Sequence, residues 1–194
     1  MLHSIDHFIG SSIMSLQTGT PLAVVQSAII DPRKLKVVAF RVQGNRLSHQ
    51  DSVLHPEDIR EISDIGLIVD GDDALMPIEG LVRLKEVVDF DFSLDGLRVE
   101  SEAGKLLGKI ESYAVDPGSF LIHQLYTKPS FLRSIITTGL VVHRSQIASI
   151  NNQRIVVKDP TISIKQVESE QKSNFMNPFR SPLPTPPEGN ATHA

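Results

Sequence analysis

Ala23-Val24-Val25-Gln26-Ser27-Ala28-Ile29-Ile30-Asp31-Pro32 decides how the chain is read, because a second stretch says the same thing. Gly108-Lys109-Ile110-Glu111-Ser112-Tyr113-Ala114-Val115-Asp116-Pro117 stands 85 residues later, with Asp116 matching Asp31. Both are apolar, β-branched runs that stop at an Asp-Pro turn signal, which is strand followed by turn. Leu35–Val42 then reads as a second strand and forms a hairpin with the first. Phe120–Tyr126 repeats it in the second copy.

Working outward, the likeness continues. His55-Pro-Glu-Asp-Ile-Arg-Glu-Ile62 matches His143-Arg-Ser-Gln-Ile-Ala-Ser-Ile150, and Leu67-Ile-Val69 matches Ile155-Val-Val157, now at an offset of 88 residues. An offset that changes so little over this length implies one small loop insertion between two structural repeats. Pro56, with acids behind it, marks the start of a short helical turn. Met14–Leu16 and Leu97–Val99 read as short opening strands. Residues 1–12 are a lead-in, one helical turn or an edge strand. Between the copies, Leu81, Leu84, Val87 and Val88 have helical spacing, so a short connecting helix is expected within 80–92. The expected division is a first module over 1–79, the connecting segment over 80–92, a second module over 93–160 and a tail over 161–194. In that tail Pro182, Pro184, Pro186 and Pro187 exclude helix and central strand, and a disordered, solvated chain is expected.

Composition narrows the function classes. The formal charge of −4 disfavours a broad nucleic-acid-coating surface. Residues 1–80 hold 6 Lys and Arg against 11 Asp and Glu, and the remainder 13 against 12. The absence of cysteine excludes disulfides, thiolate metal sites and a cysteine nucleophile. MLHSIDHFIG has no basic segment or long apolar core, and the apolar runs near 21–30 and 134–142 are too short to span a bilayer. A soluble, cytoplasmic protein without membrane insertion is expected.

Sites of chemistry are hard to find. His3 and His7 could meet on a helix face, but no third metal ligand stands near beyond Asp6. Asp70-Gly71-Asp72-Asp73 puts its glycine second where a calcium loop needs it sixth. No Gly-x-Ser-x-Gly elbow and no glycine-rich phosphate loop occurs. No cofactor and no catalysis are therefore expected. Two features suit docking instead. Lys128, Phe131, Arg133 and Arg144 gather cations and an aromatic near the second module's insertion. In the tail, Phe175, Met176 and Phe179 are apolar residues stranded in a segment not expected to fold, as in short recognition elements.

The order of strand, Asp-Pro turn, strand, His-led turn ending in Ile, and Ile-Val-Val strand resembles the PRC-barrel domain. The residues that carry the likeness are Gly108–Asp116, His143–Ile147 and Ile155–Asp159. The first copy departs from it with Ala23 where the second has Gly108. That family is named for the photosynthetic reaction-centre H subunit and also forms the C-terminal half of the 30S ribosome maturation factor. The resemblance implies a mainly β chain of two tandem, small, closed or nearly closed antiparallel barrels. It further implies a non-catalytic adaptor that docks on another protein or assembly. A ribosome- or RNA-processing-associated factor and a small-ligand-binding barrel are the alternatives.

Overall fold

The computed structural model describes residues 1–44, 47, 51–128 and 139–158. The chain is mainly β, in two seven-stranded sheets. The first contains β2 (Ser12–Ser15), β3 (Pro21–Asp31), β4 (Lys36–Gln43), β5 (Ser52–Leu54), β6 (Glu61–Ser63), β7 (Gly66–Val69) and β8 (Leu75–Pro77). The second contains β9 (Arg98–Ser101), β10 (Leu106–Val115), β11 (Ile122–Lys128), β12 (Val141–His143), β13 (Ile147–Ile150) and β14 (Arg154–Val157). It is completed by β1 (His3–Ser4).

The strand order β6-β7-β2-β3-β4-β5 in one sheet is matched by β13-β14-β9-β10-β11-β12 in the other. The repetition in the sequence is thus a repetition of topology. The first sheet adds β8 beyond β5, and the second adds β1 against β10. Neither β5 nor β8 was expected from the sequence.

The expectation of closed antiparallel barrels is corrected in two ways. Each sheet is mixed, because β2 runs parallel to β7 and β9 parallel to β14. Among the described residues neither ladder closes on itself: the first ends at β6 and β8, the second at β12 and β13. Open edges invite pairing with other chains, and here the edges are short, with three residues in β6, β8 and β12 and four in β13. Short edges do the work that closure was expected to do.

The two sheets are joined at equivalent turns. After the Asp-Pro signals, Leu35 and Phe120 both take positive φ, 47° and 56°, although neither is glycine. Such a backbone costs about 1–3 kcal/mol at each position and persists only where its surroundings enforce it. The enforcing contact is reciprocal. Val37 N–H donates to Phe120 O at 3.0 Å and Ile122 N–H donates to Leu35 O at 2.9 Å. Lys36 faces Leu121 in an antiparallel bridge between them. Lys36 meets its own counterpart and the two hydrogen bonds exchange with each other between the repeats, which is the signature of a two-fold axis. Arg144 reinforces the joint from the second repeat, its guanidinium donating to Lys34 O at 2.6 Å and to Leu35 O at 3.0 Å. The turns themselves are fixed by carboxylates. Asp31 accepts from Arg33 N–H at 2.9 Å, and Asp116 accepts from Ser119 N–H and Oγ–H at 2.9 and 2.7 Å. Those Ser119 bonds hold the Asp116 carboxyl below the usual range.

Side chains follow the backbone. Phe8, Phe40 and Phe120 pack ring against ring with centroids 5.6–5.9 Å apart. They belong to one core that draws Val25, Val37 and Leu67 from the first repeat and Val99, Leu125 and Ile155 from the second. A module of this size has a marginal core by itself, and sharing one core relieves that. A smaller cluster lies on the other face of the first sheet. There α1 (Val82–Asp89), the helix expected within 80–92, sets Leu84 on Ile29, Ala39 and Val53. Among the described residues no helix is long and apolar enough to cross a membrane. Residues 161–194, expected to be disordered, lie outside the described residues.

Phe120 is 4 % exposed and Ile65 69 %. Phe120→Ala is expected to lower stability by about 3–5 kcal/mol. Ile65→Ala should change it by less than about 0.5 kcal/mol. Urea denaturation of the two variants beside the parent checks both values.

Candidate functional site

The long strands β3 and β10 are each interrupted twice against their hairpin partners, at the same two places in the repeat. Pairing slips between Val25 and Ser27 against β4, and between Ile110 and Ser112 against β11. A bulge of this kind re-aims the side chains around it and is common beside functional sites. Here the bulged residues are Gln26 and Glu111, and they and the serines after them line one cleft between the repeats. Its volume is about 520 Å³.

The remaining walls come from the segments that lead into each repeat. Ile5, Asp6 and Ile9 belong to the lead-in, and Asp91–Asp95 follow α1, which contributes Val87 and Val88. Both leads pass through a glycine with positive φ, Gly10 at 83° and Gly96 at 70°. Gly10 N–H donates to Val25 O and Gly96 N–H to Ile110 O, each at 2.9 Å. The lead-in is therefore part of the fold, and it crosses over: His3 and Ser4 pair with Val115 and Ala114 of the second sheet. Asp6 fastens the crossing, accepting from Ser4 Oγ–H at 2.8 Å and Ser112 Oγ–H at 2.6 Å.

The symmetry that builds the cleft is broken in its lining. Ala28 of β3 corresponds to Tyr113 of β10, and Ile9 corresponds to Asp95, one residue before each glycine. The lead-in and β3 thus contribute Ile5, Asp6, Ile9 and Ala28, and the segment after α1 and β10 contribute Asp91, Asp95, Glu111 and Tyr113. Among the described residues the lining holds four carboxylates, all solvent-exposed, and one cation, Arg41. Arg41 is shared with Asp51 at 3.7 Å, and Glu111 pairs with Lys128 at 3.1 Å. Asp6, Asp91 and Asp95 have no cationic partner among the described residues. Tyr113 is 8 % exposed and lines the cleft, and no buried side-chain polar atom among the described residues lacks a hydrogen-bond partner. Burial pushes the Tyr113 hydroxyl well above the usual phenol range, and the charges of Asp6 and Asp95 push it further. It stays a neutral hydroxyl, able both to donate and to accept.

Of the residues singled out from the sequence, Lys128 is exposed at the end of β11 and holds Glu111 at the cleft. Arg144 lies at the inter-repeat joint, bonded to the Lys34 and Leu35 carbonyls. Phe131, Arg133, Phe175 and Phe179 lie outside the described residues. The cleft residues Asp6, Asp95 and Tyr113 were not legible as a group from the sequence. A signal existed, since the repeat extends backward through Ile9-Gly10 and Asp95-Gly96, where an apolar residue changes to an acid. Among the described residues no cluster of three or more His, Cys, Asp or Glu has metal-holding geometry. No protein-family model matches this sequence, and no curated protein matches it.

Ser112→Ala removes one of the two hydroxyls that hold Asp6. The lead-in should loosen at a cost of about 1 kcal/mol. Faster amide exchange at Ser4 and Asp6, with β4 unchanged, is the expected readout.

Proposed function

We propose that the protein is a non-catalytic docking module, akin in plan to tandem PRC-barrel proteins, and that a partner protein seats in the cleft between its repeats. The observation that supports this reading is the broken symmetry of the cleft. The carboxylates of Asp6, Asp91, Asp95 and Glu111 are solvent-exposed and so stand open to a partner. A lining that mixes apolar and polar residues is the make-up of a recognition surface. Lys128 stands at the margin of the same cleft, and the docking role read from it in the sequence extends to that margin. Phe131, Arg133, Phe175 and Phe179 remain candidate contacts of the same kind.

A small-ligand-binding reading draws support from the volume, which falls within the range of about 300–1,000 Å³ usual for small-molecule pockets. The ribosome- or RNA-associated reading gains nothing from this face, because four carboxylates repel phosphate. A cytoplasmic setting is proposed with the docking role, on the cysteine-free composition.

Ile9 is 38 % exposed at the cleft margin, so Ile9→Arg should block docking without unfolding the chain. Affinity purification with the full chain is expected to recover a partner that Ile9→Arg loses and Ile65→Arg retains. Equal recovery by all three would refute the cleft as the docking site.

A further inference from the structure

We propose that the open edge of β12 accepts a strand from the chain's own continuation, residues 163–165, which join the second sheet as the counterpart of β8. The inference is separate from the docking reading, since no residue of β12 lines the cleft.

The two sheets share a strand order and part at this edge. In the first, β5 pairs with β4 on one side and with β8 on the other, where Val53 faces Met76. In the second, β12 pairs with β11 alone among the described residues. Val141 faces Tyr126 as Val53 faces Arg41, so the two valines hold one place in the repeat. Val53 is 0 % exposed and Val141 42 %.

The backbone agrees. Ile78 N–H donates to Asp51 O at 3.0 Å, so alternation along β5 turns the Val53 amide toward β8. Thr127 N–H donates to Leu140 O at 2.9 Å, and the same alternation turns the Val141 amide away from β11, out over the open edge. His143, next on that side, has its N–H engaged by Gln146 Oε1 at 2.7 Å. The edge therefore presents the N–H and C=O of Val141 to an incoming strand, the arrangement that strand addition uses.

The order of the chain names the occupant. Residues 70–74 link β7 to β8. β14, the counterpart of β7, ends at Val157, and 158–162 give a link of the same length to 163–165. The offset of 88 residues that carries β7 onto β14 sets Ser163, Ile164 and Lys165 at the places of Leu75, Met76 and Pro77. Ile164 then lies beside Val141. Ile162-Ser-Ile-Lys165 alternates apolar and polar residues, the pattern of a half-buried strand. A strand on so short a tether acts at an effective concentration on the order of millimolar, which favours it over a second copy or a free peptide. The pairing brings the first residues of the tail into the second sheet and leaves its proline-rich remainder outside.

The test is amide exchange of the full chain by NMR, in the parent and in two proline variants, since proline has no N–H to give. Ile164→Pro removes the amide aimed at Val141 and should speed exchange at Val141 by about tenfold or more. Lys165→Pro should leave Val141 protected, because a proline already holds that place in β8. Unchanged exchange at Val37, in the central joint, shows that each variant is folded. Cross-strand NOEs between Val141 and Ile164 that persist on dilution are also expected. Fast exchange at Val141 in the parent, equal exchange in the parent and Ile164→Pro, or lost protection in Lys165→Pro overturns the proposal. NOEs found only between differently labelled copies assign the edge to a second copy, and protection that arises only with an added protein assigns it to a partner strand. Either result overturns the proposal as well.

Discussion

Two peptide hydrogen bonds, Val37 to Phe120 and Ile122 to Leu35, hold the molecule together at its centre. They bind each repeat to the counterpart of its own turn. For them to form, a leucine and a phenylalanine must both adopt a backbone that side chains disfavour. The strain is repaid locally. The same conformation sends Phe120 into the ring cluster with Phe8 and Phe40, and Arg144 covers the neighbouring carbonyls. With the turns interlocked, the inner faces of both sheets close over one core, and the exposed edges need only be short.

The cleft follows from the same joint. Placing β3 and β10 about a common axis brings their bulges together, so Gln26 and Glu111, both exposed, line one shared cleft. A duplicated module in this arrangement acquires a cavity that neither copy has alone. Divergence of the copies then supplies its character, with Tyr113 and Asp95 in the second copy where the first has Ala28 and Ile9. Stability demands symmetry at the turns, and recognition uses asymmetry a few residues away.

Much of this architecture was legible in the primary sequence. The hairpins, the repeat and the connecting helix follow from β-branched runs, Asp-Pro signals and helical spacing. The parallel pairs β2–β7 and β9–β14 did not follow, because partner choice in a sheet depends on where the chain returns, and no local pattern encodes it. β8 was missed since Leu75-Met-Pro77 is short and ends in proline, yet proline is tolerated on the edge strand where it sits. The departure at Ala23 also has a spatial answer. A Cβ on Gly108 would come within 2.6 Å of Lys128 O, and in the first copy the close approach is met instead by Gly44, whose Cβ would lie 2.5 Å from Leu22 O. One glycine on either strand suffices, which a comparison of aligned letters does not show. Tyr113 looked like one more apolar residue of a strand, and its place in the cleft follows only from the meeting of the two repeats.

If the interlocked turns make one cooperative unit, neither repeat can open while the other stays folded. Native-state hydrogen exchange across increasing urea, read at the amides of Val37 and Ile122 and along β3 and β10, measures this directly. Both repeats should converge on one opening free energy with the same urea dependence. Two separate values, with one repeat exchanging while the other keeps its protection, would contradict a shared core built on the central joint.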